Sequence, residues 1–239
     1  RIQHYAQKEK ITALELSISF GCDTKYGIAD DIIDVFRKAE NRMYQKKVHE
    51  ASKNKSQMIE LIMTTLFEID NKELSHSNRV CHLCEMTAQS LNLSEANIEL
   101  AKKSGSLHDI GKIVIAKNVL NSNSHLTEHE WEELKRHSEI GYRILRFSPE
   151  LSKLAECVFE HHERWDGNGY PRGIKGKKIS LISRIIAISE AYDTMTSESS
   201  YKKALTKEEA IQELKNCSGS QFDPELVPIF IDLVQRELI

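Results

Sequence analysis

His161-His162-Glu163-Arg164-Trp165-Asp166-Gly167-Asn168-Gly169-Tyr170-Pro171 is the stretch that decides how this chain reads. An apolar helical pattern (Leu151, Leu154, Val158, Phe159) runs into it, a His-His-Glu triplet ends that pattern, and a glycine-rich loop follows. Working outward, a second apolar helix (Ile98, Leu100, Ala101, Leu107) ends on His108-Asp109 and continues as Ile110-Gly111-Lys112. His76, His137 and Asp193 lie on or beside further helical segments. Singly, each has a structural reading: His76 or His137 as a cap or surface residue, Asp193 as a paired core carboxylate. Together, His and Asp side chains leaving several helix ends of one domain are what a metal site in a helical bundle requires.

The rest of the pattern is almost entirely helical. Apolar spacing predicts helices over 76–91, 95–108, 127–136, 138–147, 150–162, 180–196, 206–216 and 223–237. Thr127-x-x-Glu130 and Thr206-x-x-Glu209 are capping boxes. The Gly/Asp-rich run 166–173 is the conspicuous loop, and chemistry is expected beside it. Upstream, Ile11–Phe20 alternates as a strand closed by Gly21, and Asp30-Asp31 opens a helix with Ile32, Ile33, Val35, Phe36, Ala39 and Met43 on its apolar side. One strand and one helix cannot bury a core alone. Residues 1–48 therefore pack on a neighbour or are the tail of a larger domain. Residues 44–75, free of Pro and Gly, read as a long connecting helix of the kind that pairs with a copy of itself, or as the plain first helix of the next domain.

Composition bounds the function. The 239 residues, 40% hydrophobic and 29% charged, fit one large globular domain with a fragment attached. Only 10 Gly and 4 Pro exclude collagen and loop-rich scaffolds. No apolar run approaches the ~18–20 residues that span a bilayer, and no signal peptide opens the chain, so a cytoplasmic protein is expected. A net charge of −3 offers no field for bulk nucleic acid, while leaving room for a small nucleotide in a local basic pocket. Five cysteines read as reduced thiols. Cys81-His82-Leu83-Cys84 spells CxxC, but it has no second knuckle and sits in a helical pattern, which makes buried helix residues the simpler reading.

Imidazoles and carboxylates together suit iron, manganese, nickel or zinc better than calcium or magnesium. A carboxylate such as Asp109 can bridge two cations ~3.5–4 Å apart, which lower the pKa of a shared water and clamp a phosphoryl centre. On a helix, His161 and His162 would point ~100° apart, so each is expected to serve a different ion. Lys112 can set an ammonium beside a bound phosphate.

His108-Asp109-Ile110-Gly111-Lys112 followed by the 161–171 stretch resembles the HD-GYP subfamily of HD-domain phosphohydrolases. His76-Ser77-Asn78-Arg79-Val80, Lys135-x-His137, Arg184-Ile185-Ile186-Ala187, Asp193-Thr194-Met195-Thr196 and Gln221-Phe222-Asp223-Pro224 extend the match over about 56–239. The resemblance implies a mainly all-α HD-domain helical bundle that hydrolyses cyclic di-GMP to pGpG and GMP by a bridging hydroxide at a two-metal site. It implies two divalent transition-metal ions, iron or manganese first, with zinc or nickel sharing the same donors. The implied ligands are His76, His108, Asp109, His137, His161, His162 and Asp193, with Asp109 and Lys112 catalytic. Lys112, Tyr170, Lys202 and Lys203 are the implied substrate contacts.

Leu16–Gly21 with Ala39–Lys47 is similar to the closing strand and helix of a GGDEF domain, although the GGDEF signature itself is absent. That divides the chain into a GGDEF-like remnant over 1–48, a linker helix over 49–75 and the HD-GYP domain over 56–239. The GYP loop is then a docking candidate for GGDEF-type domains, and the 44–75 helix a dimerisation candidate.

Three departures qualify the match. Lys72 stands where some members have a third-metal glutamate, with Glu73 beside it; Glu190 replaces an aspartate; and Ser199-Ser200-Tyr201-Lys202 replaces Arg-Pro-Tyr-Arg. The last removes a bidentate fork. Two alternatives stay open: a catalytically weak cyclic di-GMP receptor or interaction module, and an HD hydrolase of another cyclic dinucleotide.

Overall fold

The structure is a computed structural model that describes residues 10–11, 14–15, 20–27, 31–120, 126–198 and 203–236, with backbone alone at 10–11, 14–15, 48–56, 71 and 118. Its contacts divide the chain into two units, Arg1–Met58 and Ile59–Ile239.

In the first unit, β1 (Lys10–Ile11) pairs antiparallel with β2 (Leu14–Glu15), in the register Lys10↔Glu15 and Ile11↔Leu14. The single strand expected over 11–20 is therefore not what these residues form; 12–13 and 16–19 lie outside the described residues. The helix expected from Asp30-Asp31 is present. It runs without a break as α1 (Ile32–Ile69, 38 residues). Arg42 ties its first half to the preceding segment through Cys22 O (2.7 Å) and Asp23 Oδ1 (2.9 Å), and Lys46 Nζ lies 4.6 Å from the Phe20 ring centroid. Ile32, Ile33, Phe36 and Tyr44 are exposed.

The second unit is helical. After α1 come α2 (Asn71–Ser90), α3 (Glu95–Leu107), a 3₁₀ turn (Ile110–Val114) and the short α4 (Lys117–Leu120). Then follow α5 (Glu128–Lys135), α6 (His137–Arg146), α7 (Ser152–Phe159), α8 (Leu181–Thr196), α9 (Lys207–Asn216) and α10 (Leu226–Gln235). Both capping boxes form as read.

Two of the boundaries that differ from expectation bear on the site. The helix read over 44–75 stops at Ile69, because Asp70 turns extended and its carboxylate accepts the Lys72 N–H (2.9 Å), an N-cap that starts α2. Helix α7 stops at Phe159 and does not reach 162.

Helix α2 packs along α3, α6 along α7, and α8 against α2. One apolar cluster joins α2, α8, α9 and α10 around Val80, Ile185, Leu214 and Phe230. A second joins the end of α1 to α6 and α7 around Leu66, Ile110, Leu145 and Val158. Cys81 and Cys84 are free thiols on α2, Cys84 fully buried. Among the described residues no helix is long and apolar enough to cross a membrane.

Candidate metal centre

Helix ends deliver the polar residues of the second unit to one place. His76 is on α2, His108 caps α3, and Asp109 opens the 3₁₀ turn. His137 begins α6, and Glu190 and Asp193 lie one turn apart on α8. Gly111 makes this approach possible: a Cβ there would fall 1.9 Å from His137 O. His161 and His162 sit in the turn after α7. The chain leaves that helix at Glu160, whose carboxylate accepts the Ser180 N–H (2.8 Å) and pairs with Arg172. Glu163 likewise accepts the N–H groups of Arg172 (2.7 Å) and Ile174 (3.0 Å), and so folds the glycine loop back on the histidines. The loop is also tied to residues 220–221, through Trp165 N–H to Gln221 O (3.1 Å), Asp166 N–H to Ser220 O (2.8 Å) and Arg164 Nη1 to Gln221 Oε1 (3.2 Å).

The side chains gather into two groups whose donor atoms lie within 4.8 Å of one another. One is His137, His161 and His162; the other is His76, His108, Asp109 and Glu190. Asp109 joins them. One of its oxygens is 3.0 Å from His108 Nε2 and 3.7 Å from His76 Nε2, and the other is 3.4 Å from His137 Nε2. The adjacent His161 and His162 belong to a single group, which corrects the expectation of one ion each. That expectation assumed helical geometry, and a turn lets the two rings lie side by side, 4.0 Å between centroids.

Hydrogen bonding fixes which nitrogens are donors to a cation. His108 Nδ1 faces Gly105 O (2.8 Å), His137 Nδ1 faces Leu134 O (2.6 Å), and His161 Nδ1 faces Val158 O. A carbonyl only accepts, so each Nδ1 carries hydrogen and each neutral Nε2 offers a lone pair. His137 and His161 face each other through such lone pairs at 3.2 Å, and the Nε2 atoms of His162 and His76 close on His137 at 3.1 Å and on His108 at 3.3 Å. Two lone pairs cannot hydrogen-bond, and such contacts call for a cation between or beside them. Asp109 Oδ1 is buried without a hydrogen-bond partner, a second sign of the same need. The donor set fits divalent transition metals.

Electrostatics agrees. Burial pulls His137 and His161 down to about 4, and pulls His162 well below its usual value, so these rings stay neutral. Burial also opposes the charge on His108, but Asp109, Glu190 and Glu73 outweigh it and lift His108 to about 9. Without a cation, a proton answers the carboxylates. Asp109 is held well below the carboxylate range: burial opposes its charge, but His108 and Lys112 dominate. Lys112 Nζ bonds Asp109 Oδ2 (2.6 Å) and Glu73 Oε2 (3.2 Å); burial resists its charge, yet the two carboxylates push its pKa up. Glu73 itself is pushed up to about 7, by burial first and then by Asp109.

Of the residues read from sequence, His76, His108, Asp109, Lys112, His137, His161 and His162 come together here. Asp193 is adjacent but engaged: it accepts from His76 Nδ1 (2.7 Å) and is gripped by the Arg79 guanidinium. This directs the His76 Nε2 lone pair inward. Glu190, read only as an aspartate replacement, brings its carboxylate into the ligand group, and Oε1 also lies 3.9 Å from His162 Nε2. Helical spacing, one turn before Asp193, was the signal that could have found it. Tyr170 stacks on His162, Lys203 is exposed, and Lys202 lies outside the described residues. A cavity of about 350 Å³ opens beside the centre, lined by His161, His162 and Glu190 together with Glu213, Cys217 and Phe222.

Residues 56–226 match the family model described as HD domain. The chain belongs to the HD-domain family. The HD-domain fold is that of metal-dependent hydrolases, and the gathered donors could hold the metal. Among relatives, a cyclic di-GMP phosphodiesterase of Thermotoga maritima is 33% identical over 221 residues, which cover 87% of this chain and 60% of that protein. The cyclic di-GMP phosphodiesterase response regulator RpfG of Xanthomonas campestris is 38% identical, covering 62% of this chain and 40% of its own. A solved cyclic GMP-AMP specific phosphodiesterase of Vibrio cholerae shares the HD fold with a TM-score of 0.55 at 26% identity, over 74% of this chain and 48% of that one. The chain thus spans 60% or less of the length of these relatives.

Proposed function

We propose that this chain carries a metal-dependent phosphodiesterase of the HD-GYP type that hydrolyses cyclic di-GMP to pGpG and GMP. The observation that carries the reading is the pair of donor groups joined by Asp109, with histidine Nε2 atoms facing one another at 3.1–3.3 Å. In this reading His137, His161 and His162 would hold one divalent cation and His76, His108 and Glu190 the other, with Asp109 available to both groups. When bound, two such cations supply an activated water and neutralise charge at phosphorus.

The chain's own residues supply the rest. Lys112, kept protonated between Asp109 and Glu73, is a fixed positive charge for a phosphate oxygen and holds its proton at neutral pH. Asp193 and Arg79 orient His76, and carbonyls 105, 134 and 158 orient three other histidines. The adjacent cavity has room for part of a nucleotide, and Tyr170 and Lys203, with Lys202, are its proposed further contacts.

The T. maritima and X. campestris relatives support cyclic di-GMP; the V. cholerae structure favours a second reading, cyclic GMP-AMP, on the same centre. For residues 1–48 the proposal is the tail of a GGDEF-type domain, supported by the exposed Ile32, Ile33 and Phe36. The stretch 49–75, which includes the later part of α1, is the proposed linker, 44–75 the proposed pairing element, and the GYP loop the proposed docking point for GGDEF-type domains.

The test is turnover of cyclic di-GMP and cyclic GMP-AMP by anaerobically prepared protein loaded with Fe(II) or Mn(II), with linear products followed by chromatography. Product lost in His108→Ala/Asp109→Ala is expected. No metal-dependent product from either dinucleotide would overturn the reading.

A further inference from the structure

His162 is held differently from the other histidines of the centre. His108, His137 and His161 each aim Nδ1 at the carbonyl three residues back, and His76 aims it at Asp193. For His162 the described side-chain polar contacts are both at Nε2, His137 Nε2 at 3.1 Å and Glu190 Oε1 at 3.9 Å. Nothing on the Nδ1 side fixes its ring among the described residues. Its face is covered instead. The Tyr170 ring lies 4.7 Å away, centroid to centroid, and 29° from parallel.

The loop is built to put Tyr170 there. Gly169 passes so close to the His162–Arg164 backbone that a Cβ would fall 2.3 Å from Arg164 N and 2.6 Å from His162 O. Only that approach lets the Tyr170 N–H donate to His162 O (3.2 Å), which sets one ring over the other. Glu163 then anchors the loop through the N–H groups of residues 172 and 174. Lys135 Nζ, on the helix just before His137, lies 5.8 Å from the Tyr170 centroid on a cation–π contact. A near-parallel aromatic neighbour resists tilting of the imidazole about its Cβ–Cγ bond out of the shared plane.

We infer that Tyr170 is a positioning residue for His162: its stacked ring keeps Nε2 aimed at His137, and its loss weakens the His137–His161–His162 group selectively. This rests on the reading of the two groups as metal sites. The aromatic face matters here and the hydroxyl does not.

Mn(II) titration of the metal-stripped full chain, with free Mn(II) followed by EPR, tests it. Wild type and Tyr170→Phe are expected to bind two ions with matching affinities. Tyr170→Leu is expected to keep one affinity and to weaken the other about 10–100-fold, the usual effect of losing a ligand's supporting partner. Adding Tyr170→Leu to His162→Ala should weaken it no further, because the two act through one ring. Tyr170→Leu with both affinities intact would overturn the inference. So would equal weakening of both sites with a lowered metal-free Tm, the signature of simple loop packing. Wild type that takes up no Mn(II) would instead overturn the metal-centre reading beneath it.

Discussion

Replacing Asp109 by Asn separates charge from shape at the point where the two histidine groups meet. The carboxylate is buried, with Lys112 Nζ at 2.6 Å, His108 Nε2 at 3.0 Å, His137 Nε2 at 3.4 Å and His76 Nε2 at 3.7 Å. An amide keeps the volume and can keep an oxygen on Lys112 with its NH2 toward His137, but it removes the negative charge. Removing one member of a buried ion pair costs about 3–5 kcal/mol. Lys112 keeps Glu73 at 3.2 Å, which argues for the lower end, about 3 kcal/mol in the metal-free protein. At about 2–4 °C per kcal/mol for a domain of this size, the metal-free Tm should fall by roughly 6–12 °C. The metal response is the sharper signal. Each Mn(II) at 100 times its Kd adds about 2.7 kcal/mol, so two ions should raise the wild-type Tm by roughly 10–20 °C. Without the bridging charge the Asn variant should show less than half of that rise. Differential scanning calorimetry of stripped protein, with and without MnCl2, reads both quantities. An undiminished Mn(II) shift in the variant would refute Asp109 as the junction of the two sites.

Two further outcomes are expected. Metal-free protein should lose stability in mild acid: His137 and His161 sit at about 4 when folded, against an ordinary value of 6.5. The unfolded chain therefore takes up protons first as pH falls. Stability present above ~6.5 is lost down to ~4, on the order of 3 kcal/mol for each ring. His108, raised to about 9, acts oppositely; its contribution is whole below ~6.5 and is lost as pH rises through 9. Urea midpoints should thus peak near neutrality and fall toward pH 4.5, and a flat profile would count against these buried neutral rings. In Mn(II) titrations, Glu190→Gln should cost more affinity than Asp193→Asn, whose loss should be about 10–100-fold as an orienting partner. The reverse order would make Asp193 the ligand.

Much of this protein was legible in its sequence because residue identity and spacing carry it. The periodicity of Ile98, Leu100, Ala101 and Leu107 marks α3 and ends where His108 stands, and the Thr-x-x-Glu boxes mark where α5 and α9 begin. The histidines and Asp109 could be proposed as metal donors because they recur at helix ends of one domain in a pattern that resembles the HD-GYP motifs. Tertiary structure decided the finer points. Asp70 broke a helix that lacked Pro and Gly, since a carboxylate can cap as well as continue. The turn after Phe159, held by Glu160 and Glu163 on distant N–H groups, put His161 and His162 in one group rather than two. Arg79, on another helix, engages Asp193 and leaves Glu190 facing the centre. Local pattern specifies which side chains a helix carries; which carboxylate faces a centre depends on which partner reaches it first across the fold, and that is a long-range fact.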